Sequence, residues 1–265
     1  MERVLYLDAS YGISGDMFIA AMLDLGADAP VLMKALKSLF LHGYEVKIAR
    51  VKKAGFDACD FLVALDDRHQ NHDHDMEYLH GKAGNYTKVD MRKPCERRNI
   101  KDVEGIIQKA DMTDPAKKLA MKIFGILAEA EAKAHGIAVE EVYFHELGAI
   151  DSIVDVVAAA VCFDNLGIGR TIIPELCDGT GTIRCRHGIL PVPVPAVRII
   201  DEAYQLNLKS NDVEGELVTP TGAAIAAAIR TDIKMPASYL VRKVGIGAGK
   251  RQYNCPCILR AFLIE

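Results

Sequence analysis

The chain has 265 residues, half of them hydrophobic and 26% charged, which allows one large or two small packed domains and excludes a disordered chain. Its 32 basic residues stand against 36 acidic ones, a formal net charge of −4, so no cationic field points to nucleic acid or to an anionic membrane surface. The longest uninterrupted apolar run, 156–163, falls far short of the roughly 20 residues that span a bilayer, and the N-terminus lacks a basic, apolar, small-residue leader. A soluble cytoplasmic protein with reduced thiols is therefore expected, since seven cysteines is an odd number in a chain large enough to fold without staples.

In chain order, Arg3 to Asp8 reads as a buried strand. The glycine loop Tyr11-Gly12-Ile13-Ser14-Gly15 breaks it before a helix carrying Met17, Ala20, Ala21 and Leu25 on its apolar positions. Pro30 starts a second helix predicted to run to Leu41. Val46, Ile48 and Val51, then Phe61, Val63 and Leu65, alternate as two strands about a turn at Ala54-Gly55. From Asp66 to Arg98 apolar content collapses, which predicts a mobile polar loop. Helices follow from Asn99 to Ala110 and from Asp114, the latter expected to be capped by Asp114 with Pro115 at its first position. Glu141 to Phe144 looks like a short strand, and a nearly all-apolar helix then runs to Leu166.

Thr171 to Leu176 predicts a strand and Asp178 to Thr182 a loop. The prolines of 191–195 exclude a helix interior, but Pro195 can start a helix through Tyr204. An alanine-rich helix is predicted from Ala223 to Arg230, and strands at Tyr239 to Val244 and Cys257 to Leu263. Hairpins and β-α crossovers together predict an α+β, or irregular α/β, fold with a mixed sheet and packed helices. Its parts are 1–66, the His-rich loop 67–98, and 99–265 within the same globular unit.

Several groups of residues carry chemistry. His69, His72, His74 and His80 fall in one twelve-residue window beside Asp66, Asp67, Asp73, Asp75 and Glu77, a donor set suited to nickel, zinc or copper; a solvated polar loop is the other reading. Asp8 and Asp16 flank the loop holding Gly12 and Gly15, where carboxylates meet a cation or amides meet an anion; helix capping explains the same letters. Asp151 and Asp155, four apart on a helix, present two carboxylates on one face shortly after His145 and Glu146. Asp155 interrupts an otherwise apolar sequence, which favours function over a surface salt bridge. Thr219, Thr221 and Gly222 open a helix whose amides can hold a phosphate or merely be capped. Cys185 with His187, and Cys255 with Cys257 on one face of a strand, are soft-metal candidates, the second pair reading first as small hydrophobes.

Four segments together resemble one family: Asp8-Ala-Ser-Tyr-Gly-Ile-Ser-Gly-Asp-Met17, Phe144-His-Glu-Leu-Gly-Ala-Ile-Asp-Ser-Ile-Val-Asp155, His187-Gly-Ile-Leu-Pro-Val-Pro-Val-Pro-Ala196 and Glu214-Gly-Glu-Leu-Val-Thr-Pro-Thr-Gly-Ala223. This is the LarC-type nickel-insertion family of nickel-pincer cofactor synthesis. The resemblance implies Ni²⁺ binding and insertion into pyridinium bisthiocarboxylic acid mononucleotide, a chelatase-type lyase reaction that uses CTP with Mg²⁺ or Mn²⁺ and serves lactate racemase. It implies nickel capture by His69, His72, His74 and His80 with Asp8, and a transfer site lined by His145, Glu146, Asp151, Asp155 and His187, with His145 or Glu146 as base. Phosphate would lie at Gly12, Gly15 and Asp16 or at Thr219, Thr221 and Gly222. CTP is expected on a C-terminal half outside this chain, so the chain is expected to bind nickel without completing insertion alone. A non-enzymatic nickel chaperone or storage protein is the alternative.

Overall fold

A computed structural model of the chain describes residues 3–66, 98–142, 150–185 and 188–265, and the statements below concern those residues. Of the expected histidine-rich loop at 67–98, all but Arg98 lies outside them, as do Tyr143 and Phe144 of the short strand expected at Glu141 to Phe144.

The fold is the expected mixture of helices and a mixed sheet. Strands β1 (Arg3–Asp8), β2 (Tyr44–Lys53), β3 (Phe56–Leu65), β4 (Ile168–Ile172), β9 (Val241–Ala248) and β10 (Ile258–Ile264) form a six-stranded sheet in the order β2-β3-β9-β10-β1-β4. The β2-β3, β9-β10 and β10-β1 pairs are antiparallel, and β3-β9 and β1-β4 are parallel. Two small sheets stand beside it: β5 (Leu176–Thr180) runs parallel to β8 (Leu208–Glu214), and β6 (Thr182–Cys185) forms a hairpin with β7 (Gly188–Pro191).

The helices are α1 (Gly15–Asp24), α2 (Ala29–Lys37), α3 (Ile100–Lys109), α4 (Asp114–His135), α5 (Ile150–Asn165), α6 (Pro195–Tyr204) and α7 (Pro220–Ile229). Leu5 and Leu7 of β1 alternate with half-buried Tyr6 and Asp8, which marks one face of the sheet as the core face. On that face lie α1 and α5, whose Phe18, Ile19, Met22, Ile153, Val156 and Val157 are wholly buried. No helix among the described residues is long and apolar enough to cross a membrane.

Close approach of α1 to β9 depends on missing side chains. A Cβ on Gly247 would stand 1.9 Å from the Met17 carbonyl oxygen, and one on Gly245 would stand 2.4 Å from that of Ala21. Backbone atoms cannot give way at such distances, so these glycines seat the first turn of α1, with Asp16, against the sheet.

Several boundaries differ from expectation for local reasons. Thr113, not Asp114, caps α4: its Oγ1 accepts from Ala116 N, which moves Pro115 to the second helical position. Helix α2 stops at Lys37 because Ser38 closes it and Phe40 takes a left-handed φ of 54°. Val139–Glu141 is a 3-10 turn rather than the start of a strand. The expected loop at Asp178 to Thr182 is instead the end of β5 and the beginning of β6.

Candidate functional site

The N-terminal ends of α1, α5 and α7 converge on one cavity of about 590 Å³. Ser14, Gly15 and Asp16 reach it from α1, Asp151 and Asp155 from α5, and Thr219 and Thr221 from α7. The hairpin contributes Ile183, Cys185 and Leu190, and the turn between β9 and β10 contributes Lys250, Arg251, Tyr253 and Cys257. Glu131 and His135, from the last turn of α4, complete the rim. A space of this size is that of an ordinary small-molecule site.

The acidic side of the cavity is electrostatically loaded. Asp16 Oδ1 accepts from the Ser14 hydroxyl and, at 2.9 Å, from Met17 N. Burial still raises its carboxyl above the ordinary range, although these bonds and the positive charges of Lys250 and Arg251 oppose the rise. Asp155 sits with Oδ2 only 2.8 Å from where a Cβ on Gly15 would be, so Gly15 is the residue that admits it. Burial, reinforced by Asp16 and Asp151, pushes Asp155 well above the ordinary range, and Lys250 pulls it down. The two carboxylates of the expected Asp151/Asp155 face therefore share a cavity with Asp16, which sequence spacing alone did not connect to them. A dication or a proton relieves such a cluster.

Two basic residues reach the same cavity. Arg251 donates to Glu216 Oε2 at 2.7 Å and to the Glu216 carbonyl at 2.8 Å, with the two side chains 17% and 3% exposed. Breaking a pair this deeply set costs on the order of 3–5 kcal/mol, so Arg251 is fixed in place. Lys250 pairs with Asp60 while also lining the cavity.

At α7, the expected phosphate cradle divides by role. Thr219 caps the helix, its Oγ1 accepting from Gly222 N at 3.1 Å. Gly222 packs instead of binding: a Cβ there would meet the Ile13 carbonyl oxygen at 2.1 Å. Pro220 has no N–H, and Thr221, the next residue of this turn, lines the cavity. Gly12 likewise packs, at φ 87°, against the Leu217 carbonyl, where Ile13 N donates to Leu217 O and Thr219 N to Ile13 O.

Asp8 is engaged elsewhere, paired with Arg260 and accepting from the Ser10 amide and hydroxyl, and it does not line the cavity. The expected residues His69, His72, His74, His80, His145, Glu146 and His187 lie outside the described residues. Among the described residues no cluster of three or more His, Cys, Asp or Glu side chains is arranged to hold a metal. Cys255 and Cys257 are not on a strand as expected; they flank Pro256 in the turn before β10, their sulfurs 3.4 Å apart. Burial first, then the neighbouring thiol, raises Cys255 to about 11.

Sequence reasoning missed Glu216, Lys250, Arg251, Tyr253 and Asp178. Asp178 is wholly buried in β5, and its Oδ1 accepts from Gly179 N, Leu217 N and Val218 N at 2.8, 2.8 and 3.0 Å. It thereby ties down the segment that leads from Glu216 into the Thr219 cap.

The profile of the family described as Nickel insertion protein matches residues 5–265, and the chain belongs to that family. It is 52% identical over 266 residues to the pyridinium-3,5-bisthiocarboxylic acid mononucleotide nickel insertion protein of Alkaliphilus metalliredigens, covering 100% of this chain and 61% of that protein. Proteins of the same name from Clostridium acetobutylicum and Acetivibrio thermocellus are each 38% identical, over 271 and 264 residues, covering 99% and 98% of this chain and 64% and 60% of theirs. The chain thus spans about three fifths of the length of these curated relatives. No solved structure matches it.

Proposed function

We propose that this chain binds Ni²⁺ and the pyridinium bisthiocarboxylic acid mononucleotide in the cavity between α1, α5 and α7, and places the metal in that substrate. What supports this most is the charge gathered in one cavity, where the carboxylates of Asp16, Asp151 and Asp155 meet Lys250 and Arg251. The carboxylates suit the incoming dication, with His145, Glu146 and His187 completing its ligand set. Lys250 and Arg251, with the hydroxyl of Thr221, suit the phosphate of the mononucleotide.

Insertion replaces a ring C–H bond by a C–Ni bond and forms two S–Ni bonds, so the site must also accept one proton. His145 or Glu146 is assigned that proton. His69, His72, His74 and His80 gather nickel from solution. CTP with Mg²⁺ or Mn²⁺ is assigned to the part of the longer relatives that this chain does not span, and lactate racemase is the recipient of the finished cofactor.

Calorimetry on the full chain tests this reading. Nickel and the mononucleotide are each expected to bind saturably, with Asp16→Asn and Asp155→Asn together weakening nickel at least tenfold. Replacing His69, His72, His74 and His80 by alanine is expected to remove nickel equivalents while leaving mononucleotide affinity intact. Unchanged nickel affinity in the double aspartate variant would sink the assignment of the cavity. Nickel binding without any affinity for the mononucleotide would instead make the chain a carrier or store.

A further inference from the structure

Nickel must reach sulfur donors in the substrate, and the cavity wall holds a sulfur pair of its own. Cys255 and Cys257 are unbridged, and at 3.4 Å their sulfurs lie well beyond the roughly 2.05 Å of a disulfide. Around them the backbone is fixed: Pro256 has a locked φ, Cys257 takes a φ of 48°, and its carbonyl accepts from Gly249 N at 2.9 Å. Cys257 lines the cavity and Cys255 is half-buried beside it.

The spacing has a direct reading. With metal–sulfur bonds of about 2.3 Å, two sulfurs 3.4 Å apart subtend about 95° at a shared metal, between the square-planar and tetrahedral angles. The pair therefore presents the bite of two cis ligands before any metal arrives, and little chain order remains to be lost on binding.

We propose that Cys255 and Cys257 are a two-thiolate landing site for nickel on the wall of the cavity, from which the ion passes to the sulfur atoms of the substrate. This rests on the nickel-insertion reading of the cavity. Nickel is a borderline cation for which thiolate, imidazole and carboxylate compete, so a thiolate pair holds it against the aspartates of the same cavity. Structural sites close all four positions with protein donors, whereas two donors leave the remaining positions open to water and to the incoming thiocarboxylates. Exchange is then sulfur for sulfur. On binding, each thiol gives its proton to solvent as its S–Ni bond forms. On transfer, each of these bonds breaks as one to a thiocarboxylate forms, and nickel stays divalent throughout.

Nickel chloride titrated into the full chain, with thiols kept reduced by a phosphine, is read by near-ultraviolet absorption, where thiolate-to-nickel charge transfer appears and imidazole or carboxylate ligation does not. A band saturating at one nickel per chain is expected. It should vanish, with at least a tenfold loss of affinity for that equivalent, in Cys255→Ser and in Cys257→Ser. It should persist in Cys177→Ser, whose thiol lies in β5 away from the cavity. Cys255→Ser carries the test if Cys257→Ser fails to fold, because Cys255 lies outside the strands and is not fully buried. A wild-type chain without the band, or a band that survives in the double serine variant, overturns the proposal. A band present in a chain that does not bind the mononucleotide supports the thiol site while removing the insertion reading, so the two failures are distinguishable.

Discussion

Asp155→Asn is expected to raise the thermal midpoint of the metal-free protein at pH 7 while weakening nickel binding. Asp155 accepts no hydrogen bond from any described residue, stands in a cluster with Asp16 and Asp151, and is surrounded by the apolar body of α5. An amide of the same shape cannot ionise, so it removes the cost of setting a carboxylate beside Asp16 and Asp151. Relieving that cost stabilises by roughly 1–3 kcal/mol, which in a chain of this size is about 2–6 °C.

The pH dependence follows from the direction of the shift. Asp155 has a folded-state pKa raised above its ordinary 3.8, so between these two values the folded chain holds more protons than the unfolded one. Its contribution is therefore neutral below the ordinary value and turns unfavourable as pH rises towards the folded-state value. Beyond that it is constant. Melting curves of wild type and Asp155→Asn should coincide near pH 3.8 and separate upwards, with wild type the less stable. Nickel affinity should run the opposite way, since the ion competes with the proton for the same carboxylates. Wild-type stability equal to or above that of the variant at pH 7 would show that the cluster is compensated. An outcome as expected would mean that the chain gives up stability at this site to keep a charge that only a cation satisfies, the pattern of a binding site rather than of a core.

Much of the fold was readable because its elements carry strong periodic or terminal signals. The α1 helix, the β2-β3 hairpin, α3 behind Asn99 and α6 behind Pro195 fall where apolar spacing and caps put them, whereas α7 begins at Pro220, three residues before the expected Ala223. The β5-β8 pair and the β6-β7 hairpin were not readable. Their strands are mostly short, and their glycines and threonines are also the vocabulary of loops; the pairing of 176–180 with 208–214, far apart in sequence, is what makes β5 and β8 strands. The same limit applies to the site. The i, i+4 relation placed Asp151 and Asp155 on one face, but their meeting with Asp16, Lys250 and Arg251 depends on α1 lying against the glycines of β9. No local pattern announces a contact across more than a hundred residues. A cue did exist at 245–249, where three glycines in five positions mark a strand approached closely by another backbone.

Asp178 provides the sharpest test of how the cavity is held open, because two substitutions at one atom pattern should part company. Oδ1 takes three backbone amides, from Gly179, Leu217 and Val218, whereas Oδ2 is buried with no hydrogen-bond partner among the described residues. Burial raises its pKa, an effect the three amides oppose and the charge of Glu216 adds to. The acceptor oxygen is thus structurally required and the negative charge is not. Asp178→Asn keeps the acceptor, replaces the idle oxygen by an NH₂ group and removes a buried charge, so its unfolding free energy should stay within about 1 kcal/mol of wild type. Asp178→Ala leaves three buried N–H groups without an acceptor at roughly 1–3 kcal/mol each and should cost on the order of 3–6 kcal/mol. The damage should be directional. Leu217 and Val218 lead straight into the Thr219 cap, so amide exchange in the alanine variant should accelerate first at 216–222 and at Ile13, which bridges Val218. The distant β2-β3 hairpin should hold its protection until global unfolding. Equal stability of the alanine and asparagine variants would show that the segment is held by its own packing. A large loss in both would show that the carboxylate charge itself, beside the Arg251–Glu216 pair, is part of what fixes that pair in the cavity.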